Sequence, residues 1–347
     1  MNFNQKNIRF NVKPKVIFII FPIFVINSII LVYLCIVELQ NILYGVIISL
    51  ISLIPAVLLF LWGLESSKTR FENISKRTVN IQKVDLVLQD GLKTFGKIYR
   101  SEEETIGSSK NPHYPEARKA IVFFHGFYAN KEINEKFLIP LAHLGYVTVA
   151  FDQRGHGEAE GKKTDWIKLY NDVDAILNYV CSLNDVKGDS LICIGISMGG
   201  TSVLTKCYQD KRVAMVIGIS TLHDVEKYLN AKSTIFSPRW FIRRLMSSAK
   251  KNEKKSLRFT AHQFLRPDAD YNKNRLYLIH GEDDKLFPPS LTFHLNKEQS
   301  QIPENQAILL DNCRHNLAGQ ELLILSIILN WIWNFEKEEK EKKKKKD

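Results

Sequence analysis

Leu191-Ile192-Cys193-Ile194-Gly195-Ile196-Ser197-Met198-Gly199-Gly200 passes from a short apolar run, through a serine flanked by glycines, into a segment with helical spacing. Four apolar residues, two of them β-branched, are too few for a buried helix and read as a strand covered on both faces. Gly195, Ser197 and Gly199 form the pattern G-x-S-x-G. A serine on a sharp strand-to-helix turn needs small neighbours because the backbone is crowded and strained there, and the turn lifts Oγ clear of the sheet. The plain alternative is a glycine-rich turn carrying a surface serine. With 17 glycines in 347 residues such a pattern arises rarely by chance, before its strand-helix setting is required.

Outward from this turn the same alternation repeats. Strand-like apolar runs at 120–124, 146–151, 191–194, 215–219, 276–279 and 307–310 are separated by amphipathic stretches, the clearest at 135–144, 165–183, 198–208 and 321–335. Continuous apolar strands alternating with helices define the fold class as α/β, a mostly parallel sheet with helices on both faces. Ahead of them, 79–88 and 92–99 flank the turn signal Asp90-Gly91 and predict an antiparallel hairpin. The Gly/Ser/Asn/Pro-rich segment up to Pro115 reads as a surface loop. Parallel sheets of this kind bind ligands beyond the carboxyl ends of their strands.

Those ends carry chemistry. A serine hydroxyl is a weak nucleophile at neutral pH and needs a base, itself oriented by a carboxylate. The run ending at Ile279 is followed by His280-Gly281-Glu282-Asp283-Asp284, and the run ending at Leu310 by Asp311-Asn312-Cys313-Arg314-His315. The chain order is therefore serine, acid, histidine. Of the nine histidines, His294 and His315 follow the acidic loop. His294 sits in a helix-like stretch, where a solvated or packed role suits it, whereas His315 lies in a loop after a strand. Spacing does not separate Asp283 from Asp284.

Together these residues resemble the α/β-hydrolase superfamily, in particular its esterase, monoacylglycerol-lipase-like and prolyl-oligopeptidase-like members, over residues 79–335. Four motifs carry the resemblance: His125-Gly126-Phe127, Asp152-Gln153-Arg154-Gly155-His156-Gly157, the Ser197 turn, and His280-Gly281-x-x-Asp284 followed by His315. The resemblance implies a catalytic triad of Ser197, Asp284 and His315, with Glu282 and Asp283 as spectators. It also implies an oxyanion hole from the backbone N–H groups of Phe127 and Met198. Without it, His125-Gly126 is only a turn. The Asp152–Gly157 loop is expected to shape the pocket floor, with His156 not catalytic. A helical cap is expected at about 221–274. No metal or organic cofactor is called for, and serine at the turn argues against the haloalkane-dehalogenase and epoxide-hydrolase branches of the fold.

Two further apolar runs, 16–37 and 42–63, are each long enough to cross a hydrocarbon core of about 30 Å as a helix of roughly 20 residues. Separated by Glu38 to Asn41, they predict a transmembrane hairpin; a re-entrant hairpin is the alternative. The first run is too long for an ordinary cleaved signal segment. Lys6, Arg9, Lys13 and Lys15 precede the pair, Lys68, Arg70, Lys76 and Arg77 follow it, and the turn holds no cation, so both ends are expected in the cytoplasm. The expected organisation is a basic N-terminus (1–15), the two spans (within 16–64), a linker (65–77), the hydrolase domain (78–336) and a charged, disordered tail (337–347).

The formal net charge of +11 is gathered near the spans, in 239–258 and in Lys342 to Lys346, which points to anionic membrane surfaces before nucleic acid. No nucleic-acid-binding signature accompanies it. Five cysteines without metal-type spacing, several in apolar runs, suit a reducing compartment. In the cap, Ile235-Phe236, Trp240-Phe241-Ile242 and Leu245-Met246 lie among arginines and lysines. That pattern fits a face laid on lipid and equally a face turned toward an acyl pocket. The expected activity is hydrolysis of a carboxylic ester, a lipid or acylglycerol among the candidates, with the lipid bilayer as partner. A peptidase or thioesterase on the same triad is the enzymatic alternative, and a catalytically silent membrane-tethered binding module the non-enzymatic one.

Overall fold

The computed structural model describes residues 79–101, 118–163, 165–231 and 260–344, together with residues 26, 29 and 33. The chain divides into two units, Met1–Ile74 and Ser75–Asp347. The expected spans, the linker, the 102–117 loop and the central part of the cap, 232–259, lie outside the described residues, apart from Ile26, Ile29 and Tyr33, which are helical. Among the described residues no helix is long and apolar enough to cross a membrane.

In the second unit, the hairpin of β1 (Val79–Val87) and β2 (Lys93–Ser101) pairs antiparallel, Val84 opposite Gly96. β2 then pairs antiparallel with β4 (Val147–Phe151). Beyond it β3 (Ala120–Phe124), β5 (Leu191–Ile196), β6 (Val213–Ile219), β7 (Leu276–Gly281) and β8 (Ala307–Leu310) are all parallel. The sheet order is β1-β2-β4-β3-β5-β6-β7-β8. β3 and β4 are buried at every position, whereas β1 alternates, as expected of strands covered on two faces and of an edge strand.

Helices cover both faces. In α2 (Trp166–Cys181) the buried residues Leu169, Val173, Ile176, Leu177 and Val180 recur at helical spacing and pack on Val122, Phe124, Val149 and Cys193. α3 (Met198–Ser202) continues over Val203–Cys207 with wider, π-type turns, so the helix expected over 198–208 is present but not uniform. On the opposite face, Phe137 of α1 (Glu135–His143) stacks on Phe123 at 5.5 Å between ring centroids. Trp331 of the C-terminal helix packs on Tyr277 at 4.8 Å. Full burial of such side chains contributes about 1.5–3 kcal/mol each.

The C-terminal segment differs from expectation. α6 runs Glu321–Lys344, so residues 337–344, expected to be a disordered tail, continue the helix. The physical reason is partly long-range: Tyr146 donates to Glu336, Lys119 pairs with Glu336 and Glu339, and Asn274 donates to Glu338. Glu336 and Lys340 also stand at the i,i+4 spacing that supports a helix. Two further helices, α4 (Val225–Asn230) and α5 (Phe293–Ser300), lie after β6 and before β8.

Candidate active site

β5 ends at Ile196 and α3 begins at Met198, leaving Ser197 alone between them with φ 55° and ψ −114°. A non-glycine residue held there costs on the order of 1–3 kcal/mol and persists only where its surroundings enforce it. The surroundings do so. A Cβ on Gly195 would collide with the Gly199 carbonyl, and one on Gly199 with the carbonyls of Phe124 and His125. The Ser197 N–H is tied to the Ile219 carbonyl at 2.8 Å.

The three residues expected to form a triad meet, although the loops that supply them are far apart in the chain. Ser197 Oγ lies 2.9 Å from His315 Nε2, and His315 Nδ1 lies 2.7 Å from Asp284 Oδ2. Asp284 is buried; Glu282 and Asp283 are exposed, so burial makes the distinction that spacing could not. Burial alone would raise the Asp284 carboxyl, but N–H groups of His280, His315 and Phe287 outweigh it and hold it down at about 2. At neutral pH it is an acceptor only. His315 Nδ1 therefore carries the ring proton, and Nε2 turns a lone pair toward Ser197, whose hydroxyl donates to it. His294 is exposed on α5, away from this series.

One partner was not visible as such in the sequence. His280 Nε2 lies 2.8 Å from the Phe287 carbonyl and 3.1 Å from Asp284 Oδ2. Both neighbours are acceptors, so Nε2 is the protonated nitrogen and donates to both. Asp284 Oδ1 accepts the Phe287 N–H at 2.8 Å. The only sequence signal was the spacing of His280 and Asp284 inside one motif.

The expected oxyanion donors flank the serine. Met198 occupies the first position of α3, where a helix leaves its N–H without an intrahelical partner. Phe127 follows Gly126, whose Cβ position would stand 3.4 Å from the Ser197 Cβ. The loop carrying Phe127 is fixed from behind. His125 Nε2 accepts the Gln153 N–H at 2.9 Å, so its proton is on Nδ1, which donates to the Gly126 carbonyl at 2.8 Å. Burial pushes this imidazole down to about 4, keeping it neutral. Asp152 accepts from the Lys131 ammonium and backbone N–H, each at 2.7 Å, and from the Glu158 N–H at 2.9 Å. Arg154 makes two-pronged bonds to Asp172 and to Asp90. His156 Nδ1 lies 2.9 Å from the Arg154 carbonyl, and its ring stands edge-on to Phe127 at 5.1 Å. The Asp152–Gly157 loop thus braces the site without entering the triad. A cleft of about 450 Å³ beside β1 and β2 is lined by Lys97, Lys131, Glu132 and Glu158, which pair with one another, and it includes neither Ser197 nor His315.

The sheet order and the strand-turn-helix that carries Ser197 are those of the α/β-hydrolase fold. Residues 115–266 match the family described as serine aminopeptidase, S33. Among solved structures, Est1E from Butyrivibrio proteoclasticus with ferulic acid bound is 17% identical, TM-score 0.52, the match covering 72% of this chain and 98% of that one. An acetyl xylan esterase from Paenibacillus sp. R4 is 17% identical, TM-score 0.54, covering 75% and 85%. A Pyrococcus furiosus esterase is 18% identical, TM-score 0.52, covering 75% and 96%. At these identities the likeness is one of fold.

Proposed function

We propose that the chain is a serine hydrolase cleaving a carboxylic ester through an acyl-enzyme, with Ser197 as nucleophile, His315 as base and then acid, and Asp284 as the orienting carboxylate. The observation that carries this reading is the unbroken hydrogen-bonded series from Asp284 through His315 to a serine held at φ 55°. Ser197 Oγ attacks the ester carbonyl as His315 Nε2 takes its proton. The negative charge on the carbonyl oxygen is received by the N–H groups of Met198 and Phe127; each donor of this type is worth roughly 10²–10³ in rate. His315 then protonates the leaving alcohol, and water, deprotonated by the same imidazole, releases the acid.

The apolar runs at 16–37 and 42–63 support a membrane-anchored form of this enzyme with its catalytic unit on the cytoplasmic side, and they favour a lipid or acylglycerol as substrate. Labelling with a fluorophosphonate tests the nucleophile: an adduct is expected on the wild type and absent from Ser197→Ala. An adduct that survives the substitution, or none on folded wild type, removes the assignment and leaves the silent binding module.

A second reading, a peptidase, is favoured by the match to the serine aminopeptidase family over 115–266. Turnover of short esters, long-chain monoacylglycerols, acyl-CoA and aminoacyl amides separates the readings, a thioesterase included. Preference for amides overturns the esterase assignment.

A further inference from the structure

The outward face of α6 (Glu321–Lys344) carries a feature that the chemistry at Ser197 does not use. Its inner face is Ile324, Ile328, Trp331, Ile332 and Phe335, all buried. Opposite them, residues at helical spacing form one line, exposed but for the half-buried Leu329: Leu322, Leu329, Trp333, Lys337, Lys340 and Lys344. Leu322 is 84% exposed and Trp333 70%, large values for apolar side chains that could have been turned inward.

The charges of the last turns are segregated by the fold. Three acids look inward or sideways to fixed partners: Glu336 receives Tyr146 and Lys119, Glu339 receives Lys119, and Glu338 receives Asn274. The lysines interleaved with them, Lys337, Lys340, Lys342 and Lys344, are exposed, with Glu341 the acid beside them. A sequence of nearly balanced charge therefore presents a basic outer surface. It continues directly from an apolar line that ends in a tryptophan, the residue best suited to a headgroup boundary.

From this juxtaposition we propose that the outer face of α6 docks on an anionic lipid surface, Leu322, Leu329 and Trp333 entering the headgroup boundary and Lys337, Lys340 and Lys344 meeting lipid phosphates and carboxylates. Charge complementarity selects this occupant: an acidic protein would answer the lysines but leave Trp333 and Leu322 unmatched, and a second copy of the helix would set lysines against lysines. The contact is separate from any hairpin in 16–63 and independent of the hydrolase reading.

The test uses the full-length chain in vesicles of phosphatidylcholine, with and without about one third phosphatidylserine, containing lipids brominated near the headgroup. The Trp333 signal is read as the difference between wild type and Trp333→Phe. In anionic vesicles Trp333 fluorescence is expected to be quenched and blue-shifted, with several-fold less quenching in phosphatidylcholine alone. Reversing Lys337, Lys340 and Lys344 to glutamate is expected to weaken the contact by about a hundredfold or more, on the usual contribution of each cation near an anionic surface. All of these side chains are solvent-facing, and thermal melts that match wild type establish that the variants are folded. Absence of quenching in anionic vesicles, equal quenching in both vesicle types, or protection of Trp333 that follows protein concentration instead of lipid charge overturns the proposal.

Discussion

His280 Nε2 and Asp284 Oδ2 stand 3.1 Å apart, so the oxygen that holds His315 at 2.7 Å is shared between two imidazoles. Because the Phe287 carbonyl claims the same His280 N–H at 2.8 Å, the ring also locks the turn in which Asp284 sits. This makes His280 a positioning residue that acts through Asp284.

The consequence is non-additivity. His280→Phe is expected to lower kcat about tenfold with KM little changed, and His280→Gln, which can still donate, to recover part of the loss. In an Asp284→Asn background His280→Phe should cost little more, since residues that act as one unit do not add. Independent, additive losses in the double variant would show that His280 acts elsewhere.

The strained serine has its own signature. Ser197→Gly removes the proposed nucleophile but suits φ 55°, whereas Ser197→Ala keeps the strain. Relief of about 1–3 kcal/mol, partly offset by the greater freedom of glycine in the unfolded chain, leaves a net gain of about 1 kcal/mol. The glycine variant should melt roughly 2–4 °C above the alanine variant, both being inactive. Equal melting temperatures would mean that the turn stores no strain at this position.

Much of this was legible in the chain. Each central strand declared itself as an apolar run bounded by loops, because burial on both faces leaves no room for polar alternation. The Ser197 turn was legible because its crowding admits only glycine at 195 and 199. β5 nonetheless runs on to Ile196, beyond the expected end at 194, since Gly195 pairs with both Phe124 and Gly218. Asp283 and Asp284 could not be told apart because adjacent carboxylates differ only in which side of the loop they face. The role of His280 depends on the chain turning back at Phe287. The helical course of 337–344 depends on Lys119, Tyr146 and Asn274, which no local pattern reveals.

Asp284 also sets a pH dependence. Its folded-state pKa of about 2 lies below the usual 3.8, so the unfolded chain takes up the proton first. The stability it contributes is present above about pH 4 and is lost as pH falls toward 2. The difference amounts to about 2 kcal/mol for this buried group. Asp90, held at about 2 chiefly by its bonds from Arg154, loses stability over the same window, so the wild-type loss has more than one source. Asp284→Asn isolates one of them: its melting temperature should fall less steeply than wild type between pH 4.5 and 2.5. Parallel curves would contradict the depressed carboxyl.

The brace behind the loop that carries Phe127 is a buried charge pair, and such pairs reveal themselves when one partner is removed. Lys131 is 3% exposed and Asp152 1%, with 2.7 Å between ammonium and carboxylate. Burial would lower the Lys131 ammonium, but Asp152 and Glu158 hold it above its ordinary range. Lys131→Met leaves Asp152 with two backbone N–H donors and no counter-charge, a loss of about 3–5 kcal/mol by analogy with other broken buried pairs. In Lys131→Met/Asp152→Asn the stranded charge is gone and the amide oxygen can still accept one of the two N–H groups, so the double variant should be more stable than the single one. Because the same loop carries Phe127, both variants should also lose kcat, the double one included, since its neutral amide has no ammonium to hold. Denaturant midpoints decide the stability part: a single variant within about 1 kcal/mol of wild type would mean that water compensates the lost ammonium, and that His125 alone fixes the loop.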